Sequence, residues 1–187
     1  MDPSNRVHDR AILDALEAFE PSTFEGNVWK IARKGRDPLR GSPAQGRWSP
    51  GRDSEVLYTS LRREGALAEI GFRLSLEPVW PSKLEHQIHE IAAQAAKTLH
   101  LADVAALAPL GVDIARYESF DYQATQAIAA AAHFLEFDGL LVPSARSPCT
   151  NLVLFLDRIS DGMRLDVVQS LDVDWDGWRR SSAAKKG

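Results

Sequence analysis

Three polar residues with different chemical abilities stand at equal spacing in the first half of the sequence. Arg47, Tyr58 and Glu69 are separated by 11 residues at each step. A permanently charged arginine binds anions, a carboxylate stabilises positive charge, and a tyrosine stacks or hydrogen-bonds. Either the three belong to one active site, or they are an arginine stacked on a surface aromatic, a packed tyrosine and an ordinary surface carboxylate.

Glu69 has the most unusual surroundings of the three. Its flanks are the apolar stretches GALA and IGF, so we expect the carboxylate to face a cleft or a partly buried surface. A carboxylate in such a place needs a partner or a chemical role. An ion pair with Arg62, Arg63 or Arg73 is the structural alternative, and the sequence leaves it open.

A second polar group lies in the stretch DGLLVPSARSPCTNLVLF, where two apolar runs enclose Ser144, Arg146 and Asn151. Polar residues between core strands often line a pocket, although a turn around Pro143 and Pro148 explains them equally. Ser144 stands outside any G-x-S-x-G motif and no triad histidine follows it, which argues against a serine nucleophile.

Metal and thiol chemistry have weaker support. His86 and Glu90 are one helical turn apart in HQIHE, but no further Cys or His has suitable spacing. A solvated helix face explains them better, and we expect no metal site. Cys149 is the single cysteine, and a buried thiol explains it better than a nucleophile.

The composition limits the class of protein. The chain has 187 residues, enough for one domain with its own core, and 44% of them are hydrophobic. A net charge of −4 argues against broad binding to nucleic acid. The apolar runs are shorter than the ~18 residues of a membrane span, and the first residues lack a signal-peptide pattern. These features and the single cysteine predict a cytoplasmic protein that binds neither nucleic acid nor a membrane.

Hydrophobic periodicity predicts helices and strands in mixed order. The predicted helices cover residues 9–19, 61–70, 84–95 and 123–135. The predicted strands cover residues 27–32, 55–60, 70–76, 139–143, 151–156 and 164–168. A long Gly-, Pro- and Arg-rich loop fills 33–54, and 101–121 is a linker with at most one short helix.

This order predicts an α+β architecture, because strands and helices are mixed without a regular βαβ alternation. A sheet or a small β-sandwich would form its centre. We expect a helical extension over 1–25, one domain over 26–175 and a polar, frayed tail over 176–187.

Five motifs in a fixed order resemble the RES-domain family of bacterial toxins. They are VWKI, GRW, LYTS, ALAEI and DGLLVPSAR…NLVLF, and they span roughly residues 26–157. The family is named for an Arg, a Glu and a Ser, which correspond here to Arg47, Glu69 and Ser144, while Tyr58 matches its site tyrosine. The resemblance implies an ADP-ribosyltransferase-like mixed sheet or small β-sandwich flanked by helices.

The resemblance also implies an enzyme that consumes NAD⁺ as a substrate by cleaving its nicotinamide–ribose bond. Positive charge then spreads over the ribose, as in glycoside hydrolysis, and Glu69 would stabilise it. Arg47 would bind the pyrophosphate, assisted by Lys30, and Tyr58 would contact the nicotinamide end. The expected catalytic residues are Arg47, Tyr58, Glu69 and Ser144. The expected NAD⁺-binding residues are Lys30, Arg47, Tyr58, Ser144 and Asn151.

Two positions differ from related enzymes. Lys30 stands where many family members have an arginine, which keeps the charge but loses the bidentate fork. Leu67 stands where arginine-specific ADP-ribosyltransferases that resemble this fold carry a second Glu or Gln, two residues before the catalytic Glu. Transfer of ADP-ribose to a host protein on another residue type, to phosphate or to water therefore stays open.

The resemblance further implies a cognate Xre-like antitoxin that covers the active site. The loop over 35–53 would offer it, or a nucleotide, an electropositive rim formed by Arg36, Arg40, Arg47 and Arg52. A rival hypothesis is a non-catalytic module in which the same pocket senses a nucleotide or docks a partner.

Overall fold

A computed structural model describes residues 8–52, 54–158 and 162–184. Its helices are α1 (Arg10–Glu17), α2 (Arg63–Ser75), α3 (Gln123–Phe134) and α4 (Trp175–Ala184). Its strands are β1 (Ser22–Arg33), β2 (Val56–Ser60), β3 (His86–His100), β4 (Gly139–Pro143), β5 (Thr150–Phe155) and β6 (Arg164–Asp172). Short 3₁₀ helices occupy Val104–Leu110, Ile114–Arg116 and Leu156–Arg158. The predicted α+β class is confirmed.

The strands form one mixed sheet in the order β1-β2-β5-β4-β3-β6. Because β1 also pairs with β3, the first five strands in this order close into a ring, and β6 adds to the outside through β3. The pairing of β3 with β4 is parallel, and the other pairings are antiparallel. Residues from all five ring strands, such as Val28, Leu57 and Ile91, form a core of their own.

Helices cover the ring in two groups. Helices α1 and α3 pack on one another and share a core with β2, β4 and β5, in which Leu16 and Ile128 are fully buried. Helix α2 packs on β1, where Ala66 and Leu67 are buried beside Ile31. The position of Glu69 is therefore fixed by apolar contacts on the same helix.

Strand β3 corrects the helix predicted over 84–95. Its buried side chains alternate with less buried ones, but the alternation changes phase after Ile88, so buried residues occur on both faces of the strand. Ile88 and Ile91 are three residues apart, contribute to different cores, and flank a register shift after Glu90 in the pairing with β6. Because Ile88 and Ile91 are buried on opposite faces of the strand, their three-residue spacing is the same as that of neighbours on a helix.

Helix α2 corrects the strand predicted over 70–76. Ile70 and Leu74 are one helical turn apart and pack into the same cluster, whereas Phe72 lies on another face of the helix and outside that cluster. The helix continues to Ser75, before Pro78 enters the chain.

The two ends of the chain also differ from expectation. Helix α4 forms where a frayed tail was predicted, because Trp178 packs against Gly71 of α2, the position at which a side chain would collide with the indole. At the other end, β1 begins at Ser22, inside the predicted helical extension 1–25. The linker 101–121 contains two short 3₁₀ helices rather than one. The last residues of the predicted tail, 185–187, lie outside the described residues.

Candidate active site

A cavity of about 490 Å³ opens between α2, the loop 34–55 and the outer faces of β1 and β2. Strands β1 and β2 pair at Trp29 and Ser60, and residues on both sides of this pair line the cavity. Its lining includes Lys30, Arg47, Tyr58, Glu69 and Asn151, which are five of the six predicted site residues. The sixth, Ser144, is not part of the lining but donates a hydrogen bond to Glu69, which is.

The Glu69 carboxylate is held by neutral donors. Its Oε1 accepts a hydrogen bond of 2.7 Å from Ser144 Oγ and one of 3.2 Å from Asn151 Nδ2. In the described part of the chain no Lys, Arg or His nitrogen lies within 4.0 Å of the carboxylate, so the ion-pair alternative is not realised. Both contacts engage one oxygen, which leaves Oε2 to meet a ligand.

A tight turn after β4 fixes Ser144. Its backbone N–H donates to the Cys149 carbonyl at 2.8 Å, and its hydroxyl oxygen accepts from the Arg146 N–H at 3.1 Å. The hydroxyl hydrogen is thereby directed at Glu69. In this geometry Ser144 orients the carboxylate, and its contact with NAD⁺ stays a prediction.

Helix α2 approaches the turn closely at Gly65. A side chain at this position would collide with Ser60 Oγ and Cys149 Sγ. The Cys149 thiol also lies 2.9 Å from Ser147 Oγ, which is consistent with a packing role. The missing side chain at Gly65 therefore sets the distance between α2 and the turn that carries Ser144.

Replacement of Gly65 by alanine tests this close approach. We expect Gly65→Ala to lower the free energy of unfolding by about 1–3 kcal/mol, because overpacking outweighs the gain in helix propensity. Urea denaturation measures the change, and Arg63→Ala, on the exposed side of the same helix turn, is the control. Equal stability of the two variants would show that α2 tolerates displacement here.

Arg47 is clamped between two tyrosines. Its guanidinium carbon lies 4.7 Å from the ring centroid of Tyr117 and 4.7 Å from that of Tyr122, and Nη2 donates to the Ser119 carbonyl at 3.0 Å. Burial lowers the pKa of Arg47, and the two tyrosines oppose this effect. The side chain stays charged and rigid, as a residue that binds a phosphate group should be.

Tyr58 anchors the loop that carries Arg47. Its hydroxyl accepts the Trp48 N–H at 3.1 Å, and burial raises the pKa of Tyr58 to about 12. The phenol is therefore protonated at neutral pH and can donate to a ligand. Gly46 lies against this hydroxyl, where a Cβ would come within 2.6 Å of it, and the Gly46 carbonyl accepts from Gln126 at 2.9 Å.

The positive charge around the cavity differs from the predicted rim. Lys30 lines the cavity and donates from Nζ to the Arg40 carbonyl at 2.8 Å. Burial lowers the pKa of Lys30 to about 8, and the charge of Asp37 opposes the shift. The predicted rim residues Arg36, Arg40 and Arg52 are exposed and lie outside the cavity lining.

Phe72, Arg73, Phe120 and Tyr122 also line the cavity but were not assigned to the site from sequence. Arg146 lines it as well, and the sequence named it with Ser144 and Asn151 as a residue that could line a pocket, without giving it a role. The sequence ESFDY, which contains Phe120, has no feature that distinguishes its aromatic residues from packing residues.

The pair considered for a metal has structural partners. His86 accepts a hydrogen bond of 3.2 Å from Trp175 Nε1, and Glu90 accepts one of 2.7 Å from Asn27. Both lie on β3 and not on a helix. Across the described residues, no group of three or more His, Cys, Asp and Glu side chains is placed to hold a metal ion.

Residues 27–176 match the family described as the RES domain. This chain belongs to that family. The matched region covers most of the chain and extends beyond the motifs that carried the resemblance. No helix of this RES domain, within its described residues, is long and apolar enough to cross a membrane.

Two known proteins are similar to this RES domain. A probable NAD⁺ phosphorylase of Mycobacterium tuberculosis (strain ATCC 25618 / H37Rv) is 31% identical over 155 residues, which are 79% of this chain and 73% of the relative. The crystal structure of the M. tuberculosis MbcT–MbcA toxin–antitoxin complex contains a chain that matches with a TM-score of 0.78 at 21% identity, over 92% of this chain and 97% of that one. The second likeness establishes the fold.

Proposed function

We propose that this RES domain is a toxin that cleaves the nicotinamide–ribose bond of NAD⁺. The observation that carries the proposal is the Glu69 carboxylate, which faces a cationic cavity and which, among the residues that the structure describes, is held by the neutral donors Ser144 and Asn151 without an ion pair. Its negative charge is not neutralised by an ion pair and can act on a ligand. The probable NAD⁺ phosphorylase among the relatives supports the same substrate.

The reaction breaks the bond between ribose C1 and the nicotinamide nitrogen, and the electron pair leaves with nicotinamide, which becomes neutral. Positive charge then develops on C1 and the ring oxygen, and Glu69 stabilises it as carboxylates do in glycosidases. Arg47 and Lys30 hold the pyrophosphate, and the protonated Tyr58 contacts the nicotinamide end. Each contact that strengthens in the transition state contributes on the order of 2–4 kcal/mol.

Inorganic phosphate is the acceptor that we favour, because a relative of this chain is a probable NAD⁺ phosphorylase. The position two residues before Glu69 is Leu67, whose side chain is buried in an apolar cluster and cannot activate an arginine acceptor. A phosphate oxygen would form the new bond to C1 and give ADP-ribose 1″-phosphate. The test is nicotinamide release with and without phosphate: a phosphate-independent rate would instead indicate water, and labelling of a bacterial protein would indicate a host acceptor.

The pKa of Lys30 predicts a pH dependence of NAD⁺ binding. Lys30 is charged below its pKa of about 8 and becomes neutral above it, so we expect the KM for NAD⁺ to rise between pH 7 and pH 9. Burial, followed by the charge of Lys30, lowers the pKa of the neighbouring His89, which moves its titration further below this window. Lys30→Arg stays charged throughout and should remove the rise. A rise that persists in Lys30→Arg would assign it to another group.

A protein that consumes NAD⁺ in the cytoplasm needs an inhibitor, and we propose an Xre-like antitoxin that covers the cavity. The fold likeness to a toxin–antitoxin complex supports a partner of this kind. Titration of the neighbouring gene product into the NAD⁺ assay should give inhibition that weakens with salt and with NAD⁺ concentration. Tight binding without any loss of turnover would place the partner on another surface.

A further inference from the structure

Arg146 stacks on one aromatic ring and lies beside a second at the edge of the cavity. Its guanidinium carbon is 3.6 Å from the ring centroid of Phe72 and 5.7 Å from that of Phe120, whose centroids are themselves 6.2 Å apart. Stacking covers the face of the guanidinium and leaves its N–H edge exposed. In the described part of the chain, Arg146 forms no ion pair within 4.0 Å.

The position of Arg146 is tied to that of Glu69. Phe72 follows Glu69 by three residues on α2, so the two side chains are neighbours on the helix surface, about 5–6 Å apart at Cβ. The backbone N–H of Arg146 donates to Ser144 Oγ, the hydroxyl that donates to Glu69. The free guanidinium edge is therefore held beside the carboxylate from two directions.

The cavity contains more positive charge than one pyrophosphate group requires. Lys30, Arg47, Arg73 and Arg146 line it with Glu69 as the single carboxylate among the described lining residues. The charge of Arg146 contributes to the lowered pKa of Arg47, which means that the two guanidinium groups are close enough to repel each other across the cavity. Four cations around one carboxylate favour a second anion beside the dinucleotide.

A second cavity reaches Arg146 from the other side. It is a groove of about 1060 Å³ between α2 and α4, and it shares Phe72 and Arg146 with the cavity of Glu69. A dinucleotide bound in the first cavity would leave this side of Arg146 accessible. A small anion can then approach through the groove.

We propose that the Arg146 guanidinium, stacked on Phe72, is the subsite for the acceptor phosphate, an inference that rests on the proposed function. Arg146 binds HPO₄²⁻ through two N–H groups beside Glu69. One phosphate oxygen forms the bond to ribose C1 while the bond to nicotinamide breaks. Nicotinamide leaves with the electron pair, the proton stays on the phosphate ester, and no oxidant or reductant takes part.

Binding is tested without turnover by thermal unfolding in sodium phosphate against sodium chloride of equal ionic strength. Phosphate should raise the Tm of the parent protein, and Arg146→Gln should lose this rise. Arg146→Lys keeps the charge without the fork and should recover part of it. Arg63→Gln is the control, because Arg63 is an exposed arginine on α2 that lines neither cavity. Equal rises in all four proteins would overturn the proposal.

Kinetics then separate the acceptor from the dinucleotide. In Arg146→Gln the KM for phosphate should rise by about tenfold or more, while the KM for NAD⁺ stays within about twofold. A rise in the KM for NAD⁺ alone would assign Arg146 to the pyrophosphate and overturn the proposal. A rate of nicotinamide release that does not depend on phosphate would overturn the proposed phosphate subsite but would leave the proposed cleavage of NAD⁺ intact. A phosphate-dependent Tm without nicotinamide release would support the anion subsite and contradict the proposed function.

Discussion

Glu69→Gln should reduce nicotinamide release by about 10²–10³-fold, the effect of removing one electrostatic contact of about 2.7–4 kcal/mol from the transition state. Glutamine has nearly the same shape as glutamate but no charge. Its amide oxygen can still accept from Ser144 and Asn151, which hold Glu69 at 2.7 and 3.2 Å. We therefore expect the fold to survive. The initial rate of nicotinamide release and the Tm are the measurements.

Glu64→Gln is the matched control for this experiment, because Glu64 is an exposed glutamate in the first turn of the same helix. It should leave both the rate and the Tm close to those of the parent. Turnover by Glu69→Gln at the parental rate, with an unchanged Tm, would mean that the carboxylate is structural and that another group stabilises the developing charge.

Arg47→Ala should relieve the growth arrest that we expect when the parent protein is expressed in bacteria without its partner. The substitution removes the guanidinium that lies between Tyr117 and Tyr122 and faces the cavity. The loss of a charge-assisted contact to a phosphate group weakens NAD⁺ binding by roughly 1.5–3 kcal/mol. Colony counts after induction, with cellular NAD⁺ measured in parallel, give the result.

Arg52→Ala controls for the loss of an arginine from the same loop, since Arg52 is exposed and lies outside the cavity lining. It should arrest growth like the parent. The amount of soluble Arg47→Ala must match that of the parent, because the guanidinium also packs between the two rings. Arrest by soluble Arg47→Ala, with cellular NAD⁺ intact, would indicate toxicity through binding and not through catalysis.

Short apolar strands were predictable from the sequence because each consists of a short run of consecutive apolar residues, most of which are buried. Strands β4 and β5 coincide with GLLVP and NLVLF, and β2 coincides with the EVLYTS run that carries Tyr58. The apolar flanks of Glu69 likewise predicted its place on the wall of a cavity. These features depend on neighbouring residues in the sequence, so the sequence alone is enough to predict them.

Features that depend on distant partners were not predictable. In the Ala-rich β3, buried residues on both faces have the spacing expected of a helix. Helix α4 is held by Trp178, which packs against Gly71, a glycine more than 100 residues earlier in the chain. The hydrogen bond from Ser144 to Glu69 joins residues 75 positions apart. The stack of Arg146 on Phe72 depends on the same approach of the turn to α2.

The proposed function depends on which bond of NAD⁺ is broken, since a cationic cavity could also act on the pyrophosphate. Chromatography with mass analysis of the products, after incubation of the purified protein with NAD⁺ and phosphate, decides this. Cleavage at the ribose gives one nicotinamide for each ADP-ribose 1″-phosphate, with the pyrophosphate intact, and Glu69→Gln lowers both products by the same factor. AMP and nicotinamide mononucleotide in their place, or NAD⁺ recovered unchanged, would contradict the assignment of Glu69 to the nicotinamide–ribose bond.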